Sequence, residues 1–217
     1  MADLDRKREE MVRRQIEARG ITNPALLAAF RAVPRELFIS PDFATHAYAD
    51  QPLPIESGQT ISQPYIVALT IDAAAIGPDD KVLEVGAGSG YAAAIIGQVA
   101  REVIGIERHP ELARLAGERM ERLGYGNVRI IAGDGTRGAP GEAPFDVIVA
   151  AASGSHVPQT LLDQLTPGGR IVMPIGDPGG SQSLVKVTKR ADGSLDQEHL
   201  CAVRFVPLIG EEGWSDG

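Results

Sequence analysis

The 217-residue sequence predicts an α/β fold: a doubly wound, mostly parallel seven-stranded sheet, preceded by N-terminal helices and finished by a C-terminal antiparallel hairpin. Three observations predict it. Between Lys81 and Ile175, short apolar runs rich in Val and Ile alternate with stretches of helical period, the pattern of βαβ units with right-handed crossovers. The glycine-rich run Gly86-Ala87-Gly88-Ser89-Gly90 stands between the first such strand and a helix. Asp192-Gly193, a hairpin dipeptide, joins the last two apolar runs.

From the N-terminus, Leu4 to Arg19 reads as a helix with Met11, Val12, Gln15 and Ile16 as a narrow apolar stripe and Gly20 as its stop. A second helix starts at the cap Asn23, with Pro24 at its first position, and ends near Pro34. Ser40 to Gln59 is proline-rich and aperiodic, which predicts a long loop of the kind that carries function or is disordered. A helix from Pro64 to Ala75 stops at Gly77. Strands follow at Lys81–Val85, Glu102–Glu107, Val128–Ala132, Phe145–Ala150 and Gly169–Ile175, with helices at Tyr91–Val99, Pro110–Leu123 (closed by Gly124) and near Pro158–Leu165. SLVKVTK and HLCAVRFVPL make the hairpin at the sheet edge. One domain spans 1–217, in three parts: N-terminal helices and a substrate and cofactor loop (1–77), a cofactor-binding core (78–175), and the hairpin and tail (176–217).

Composition narrows the class. Apolar residues make up 43%, enough for a real core, and charged residues 23%, which opposes wholesale disorder. A net charge of −8 disfavours nucleic acid unless a local basic patch exists, and the most basic stretch, Arg6 to Arg19, is interleaved with Glu9, Glu10 and Glu17. No run of about 18 apolar residues occurs and MADLDRKREE has no signal core, so no membrane is expected. Cys201 is the only cysteine, read as a buried inert thiol, and excludes an internal disulfide; this fits a reducing, cytoplasmic setting. His46, His109, His156 and His199 are scattered without ligand spacing, and no metal is expected.

Three candidate sites fall at the carboxyl ends of three successive strands, the edge at which open α/β sheets bind ligands. The first is Gly86 to Gly90, where the backbone can bend sharply before a helix N-terminus; its G-x-G-x-G spacing suits a nucleoside without pyrophosphate, and its bland alternative is a tight turn. The second is Glu107, twenty-one residues (107 − 86) after Gly86, placed to accept from ribose hydroxyls or, equally, to cap a helix. The third is Gly133-Asp134-Gly135, in which Asp134 can accept from an exocyclic amine, or be a plain Asp-Gly turn.

VLEVGAGSG, Glu107, GDGT and LTPGGRIV (Leu165 to Val172) resemble the motifs of class I S-adenosylmethionine-dependent methyltransferases, which have a Rossmann-like sheet. Upstream, Gly58-Gln59-Thr60-Ile61-Ser62 with Pro64 is similar to the signature of the protein-L-isoaspartate O-methyltransferase family. YADQPLPI (Tyr48 to Ile55), PFDVIV, VPQTLLDQLTPGG and VRFVPL extend that likeness over almost the whole chain. Gln63 and Tyr65 stand where the family more often has Ala and His, and the tail after Leu208, IGEEGWSDG, gives no firm match.

The resemblance implies a methyl transfer from S-adenosyl-L-methionine, leaving S-adenosyl-L-homocysteine, to the free α-carboxylate of L-isoaspartyl residues in damaged proteins and peptides. It implies cofactor contacts from Gln59, Thr60, Ile61, Gly86, Ala87, Gly88, Ser89, Gly90, Glu107, Arg108, Asp134 and Gly135. Substrate contacts would come from Ile55, Thr60, Ser62, Tyr65, Val206, Pro207 and Leu208, with Ser62 at the reacting centre. Read by itself, Ser62 is more simply a helix cap. The segment Val203 to Leu208 is a candidate peptide cradle that offers an extended backbone edge. A mobile peptide substrate favours a monomer with an open face. The alternatives are a small-molecule or general carboxyl methyltransferase, or a non-catalytic cofactor-binding module.

Overall fold

A computed structural model describes residues 2–216; Met1 and Gly217, the outermost positions of the single-domain reading and of the tail, lie outside the described residues. The expected first helix changes winding along its length. Helix α1 (Ala2–Met11) passes into a π turn (Val12–Ile16) and a 3₁₀ turn (Glu17–Arg19) before Gly20. The wider turn brings Val12 and Ile16, both fully buried, onto the core together. In α2 (Pro24–Ala32) the Asn23 side chain accepts from the N–H groups of Ala25 and Leu26, a direct N-cap.

The segment expected to be an aperiodic loop has structure. It holds 3₁₀ turns at Pro41–His46 and Glu56–Gly58 and a short strand, β1 (Leu53–Pro54), which pairs antiparallel with β2 (Thr60–Ile61) just beyond it. Its prolines hide the periodicity because two-residue strands are too short to show any. Helix α3 (Pro64–Ala74) ends within one residue of the expected Ala75, and its stop is that left-handed Ala75 rather than Gly77. Arg170 holds that end: its guanidinium donates to the carbonyls of Ala74 (2.5 Å) and Ala75 (2.6 Å) and to Asp80 (2.8 Å).

The main sheet has the order β5-β4-β3-β6-β7-β8-β9. Its strands are β3 (Lys81–Val85), β4 (Glu102–Glu107), β5 (Val128–Ala132), β6 (Phe145–Ala150), β7 (Leu165–Gly176), β8 (Gln182–Lys189) and β9 (Leu195–Val203). The pairs from β5 to β7 are parallel, and β7–β8 and β8–β9 are antiparallel. Strand β7 starts four residues before the expected Gly169, with a register irregularity against β6. The hairpin turns where Ser194 N–H donates to Asp192, but β9 ends at Val203, so the VRFVPL segment leaves the sheet. Cys201 is half-buried on this edge strand rather than fully buried.

Helices α4 (Tyr91–Gly97), α5 (Pro110–Leu123) and α6 (Gln159–Asp163) make the crossovers. One core layer packs Phe30, Phe38, Tyr91, Ile95 and Ile96 on one face of the sheet; a second packs Leu83, Ile104, Phe145, Ile148 and Leu161 on the other. The chain runs outward from β3 through β4 to β5, then returns to β6 on the opposite side of β3. This reversal opens a crevice at the carboxyl ends of β3 and β6. Among the described residues no helix is long and apolar enough to cross a membrane, and no group of three or more His, Cys, Asp or Glu is placed to hold a metal ion.

Candidate active site

A cleft of about 1030 Å³, its open mouth included, lies at that crevice. The glycine loop forms its floor. Gly86 and Ala87 N–H groups both donate to the Ile106 carbonyl (2.8 and 3.0 Å), folding the loop over the end of β4. Gly88 (φ 55°) lies in the left-handed region, where a side chain is strained. Its N–H donates to Glu107 Oε2 (3.0 Å), and His109 N–H donates to Glu107 Oε1 (3.0 Å). Each of those oxygens can accept a further hydrogen bond, and Glu107 lines the cleft.

Gly90 is not on the cleft wall. It precedes α4 with φ 86°, and a Cβ there would come within 2.8 Å of Met120 Cε, so its need for glycine comes from packing against α5. Asp134 is likewise outside the lining, whereas Gly135 is in it. The Asp134 carboxylate accepts from Thr136 N–H (2.8 Å), the Thr136 hydroxyl (2.7 Å) and Glu211 N–H (2.8 Å). The residue expected as an adenine acceptor thus also staples its own turn and the tail, and of the Asp-Gly pair it is the glycine that lines the cleft. A Cβ on Gly135 would come within 2.6 Å of Val85 Cγ1, so only glycine lets this loop close onto β3.

A second wall comes from the GQTIS segment. Ser57 (φ 58°) and Gly58 (φ 67°) make the turn between β1 and β2, and Gln59, Thr60, Ile61 and Ser62 line the cleft. The residue capping α3 is Gln63, not Ser62, and no side chain bonds to the helix start. The simple cap reading of Ser62 therefore fails. Ile55 is buried behind this wall; its Cδ1 is 3.5 Å from where a Gly88 Cβ would sit, so it supports the glycine loop from below. Tyr65 also faces away from the cleft, with the Arg19 guanidinium 3.2 Å over its ring.

The third wall is the segment Phe205 to Ile209. Its backbone is largely spoken for. Gln182 clamps Phe205, accepting from its N–H (2.7 Å) and donating to its carbonyl (3.2 Å). Ser153 N–H donates to the Val206 carbonyl, and Leu208 N–H donates to the Ser153 carbonyl, both at 2.8 Å. The backbone edge expected as a peptide cradle is thus partly paired within the chain. What the segment presents is side-chain surface, with Val206 40% exposed. The tail that follows folds back over it: Trp214 N–H donates to the Leu208 carbonyl (2.8 Å), Trp214 Nε1 to the Ser153 carbonyl (2.9 Å), and Arg108 pairs with Asp216 (2.5 Å).

A family model described as protein-L-isoaspartate(D-aspartate) O-methyltransferase matches residues 6–213. The chain belongs to that family. It is 50% identical over 208 residues (96% of this chain, 92% of the relative) to protein-L-isoaspartate O-methyltransferase 2 of Pelobacter propionicus. It is 53% identical over 209 residues (96% and 85%) to protein-L-isoaspartate O-methyltransferase 1 of Rhodopseudomonas palustris. A solved protein-L-isoaspartate O-methyltransferase superposes with a TM-score of 0.87 at 30% identity, over 95% of this chain and 67% of that one. A Plasmodium falciparum member solved with S-adenosyl-L-homocysteine superposes with a TM-score of 0.81 at 26% identity, over 93% and 98%.

Family membership gives weight to lining residues that motif reading overlooked. Glu84, inside VLEVGAGSG, is fully buried in the cleft wall, and its Oε2 meets no donor. Burial, and then the charge of Glu107, push its pKa up to about 8, against a smaller opposing effect of the Ala93 N–H. A carboxylate in an apolar strand two residues before the glycine loop was the signal that could have found it. Tyr91 and His109 also line this methyltransferase's cleft; each sits beside a recognised motif, but only the fold turns it inward, while Phe205, which lines it too, lies inside the recognised VRFVPL.

Proposed function

We propose that this chain transfers a methyl group from S-adenosyl-L-methionine to the free α-carboxylate of L-isoaspartyl residues in proteins and peptides, beginning their repair through a succinimide. The observation that carries this reading is the meeting, in one cleft, of the glycine loop and Glu107 with the Gln59–Ser62 segment of the family signature. The residues present fit the cofactor. Glu84 offers a buried, donor-less carboxylate oxygen suited to an ammonium group, and Glu107 keeps acceptor sites for ribose hydroxyls. Gly135, in the lining, adds no side chain of its own beside Val85 and Leu208, which leaves an apolar wall for a base.

The cofactor, when bound, supplies a methyl group activated by its positively charged sulfur. The chain's own task is positional. An α-carboxylate is ionised at pH 7 and needs no base. Ser62 holds that carboxylate in line by donating its hydroxyl. Phe205 to Leu208 cover the peptide side, and the apolar lining keeps water out. The enzyme acts as a cytoplasmic monomer that takes isoaspartyl-containing proteins and peptides as partners.

The test is incubation with methyl-labelled cofactor and paired peptides that differ only in an isoaspartyl or an aspartyl linkage. Label on the isoaspartyl peptide alone is expected. Equal labelling would make the chain a general carboxyl methyltransferase, and none would make it a non-catalytic binding module.

A further inference from the structure

Arg119 lies on α5, outside every motif, yet it is only 8% exposed and touches both working walls of the cleft. One arm of its guanidinium donates to the Ser89 carbonyl in the glycine loop (2.7 Å). The other reaches Glu56 Oε1 (3.4 Å) in the turn that presents Gln59 to Ser62. Around this bridge both elements are poorly satisfied. Arg119 Nε, Glu56 Oε2 and Ser89 Oγ are buried without partners. The neighbouring Met120 packs under Gly90, so α5 already supports the glycine loop at one residue and the substrate turn at the next. The substrate turn is itself held in an uncommon conformation, with Ser57 at φ 58°.

We propose that Arg119 is a positioning residue that couples the two halves of the site. By tying the Ser89 carbonyl to the Glu56 carboxylate through one planar guanidinium, it makes cofactor and isoaspartyl peptide tighten each other's binding. The physical reason is that a guanidinium is rigid and its arms diverge at a fixed angle. Ordering of the glycine loop around the cofactor sets the position of one arm and therefore of the other. The entropy of fixing the 56–62 segment is then partly met before the peptide arrives. This inference rests on the assignment of the cleft to cofactor and isoaspartyl peptide.

Calorimetric titrations test it, using an isoaspartyl hexapeptide with and without saturating S-adenosyl-L-homocysteine, and the converse. In the unmodified enzyme each ligand is expected to tighten the other about tenfold, by the same factor in both directions. In Arg119→Lys, which keeps the charge but not the fork, and in Glu56→Gln, that factor should fall below about twofold. Their double variant should lose no more than either one. Val187→Ala, a truncation in β8 remote from the bridge, serves as a control for lost stability and should keep the full factor. Absence of coupling in the unmodified enzyme, its survival in both bridge variants, or its loss in Val187→Ala would each overturn the proposal. If the peptide does not bind the unmodified enzyme at all, the substrate assignment itself fails.

Discussion

Asp134 accepts the Glu211 backbone N–H at 2.8 Å, tying the loop after β5 to the C-terminal tail. Burial would raise the pKa of this carboxyl, but the Glu211 N–H and the Thr136 hydroxyl and N–H outweigh that and hold it below the ordinary carboxylate range. The tail in turn covers Leu208 and Ile209, which line the cleft. Asp134→Asn keeps one acceptor oxygen for Thr136 but offers an amide donor toward Glu211. The expected result is faster hydrogen exchange at Glu211 to Trp214, a stability loss of about 1–3 kcal/mol and weaker cofactor binding as the wall loosens. Unchanged exchange in the tail would show that Asp134 does not hold it.

Glu84 gives a prediction with a definite sign. Its pKa stands near 8 in the folded chain, far above that of an unfolded carboxyl. Between about pH 4.5 and pH 8 the folded state therefore holds a proton that the unfolded state lacks, and Glu84 makes stability fall as pH rises. The slope approaches about 1.4 kcal/mol per pH unit. Asp134 does not obscure this, because its contribution is complete above the ordinary carboxylate range and is lost only toward acid. Glu84→Gln should flatten the profile and raise the melting temperature of the ligand-free protein near pH 8, while weakening cofactor binding. Calorimetry of cofactor binding at pH 7 in buffers of different ionisation enthalpy should detect proton release in the unmodified enzyme and none in Glu84→Gln. Equal proton release in both would remove Glu84 from the cofactor site.

Much of this was legible in the sequence, and the exceptions share a cause. Val82, Leu83, Val103, Ile104, Val147 and Ile148 are nearly or fully buried because central parallel strands are covered on both faces, and such strands read as apolar runs. The place of Glu107, at the end of β4 and in the cleft lining, is legible because the spacing from the glycine loop to the next strand end is regular in such sheets. The stapling role of Asp134 is not legible because a ligand site and an Asp turn look alike locally; its partner Glu211 is seventy-seven residues away. Arg119 was invisible for the same reason. On α5 it resembles its neighbours Arg114 and Arg122, and only the distant Ser89 and Glu56 distinguish it. The strands between Leu53 and Ile61 were hidden because two residues carry no period.

Glu107 supports the loop and faces the cleft at once, so its substitutions should separate two effects. Glu107→Gln leaves one acceptor oxygen where two backbone N–H groups, from Gly88 and His109, now find two. Cofactor affinity should fall by about 1–3 kcal/mol, the usual cost of leaving a polar partner unpaired. Peptide affinity measured without cofactor should change far less. Calorimetric titration with S-adenosyl-L-homocysteine decides, and an unaltered Kd would dissociate Glu107 from the ribose.

Ser62 lies on the cleft wall between β2 and α3, at the point where the substrate segment faces the cofactor loop. Because Gln63 occupies the capping position of α3 and no side chain bonds to the helix start, removal of the Ser62 hydroxyl should cost little stability, well below the ~1 kcal/mol of a lost cap. Its effect should fall on turnover. A hydroxyl that donates to the attacking carboxylate orients it without being deprotonated, and a misplacement of about 1 Å at such a centre can lower a rate on the order of 100-fold. Ser62→Ala is therefore expected to lower kcat more than it changes cofactor affinity, with a nearly unchanged melting temperature. Ser62→Thr, which keeps the donor, should restore part of the rate if its methyl group fits. The substrate carboxyl titrates near pH 4 and no base takes part in the transfer, so Ser62 adds no ionisation near neutrality. The ratio of kcat between Ser62→Ala and the unmodified enzyme should accordingly stay constant from pH 6 to pH 9, even where Glu84 makes cofactor binding change. Initial rates at saturating cofactor, taken with melts on the same preparation, separate the outcomes. A variant with unchanged kcat would mean that the hydroxyl does not touch the reacting carboxylate, and a ratio that varies with pH would mean that it acts through a titrating partner.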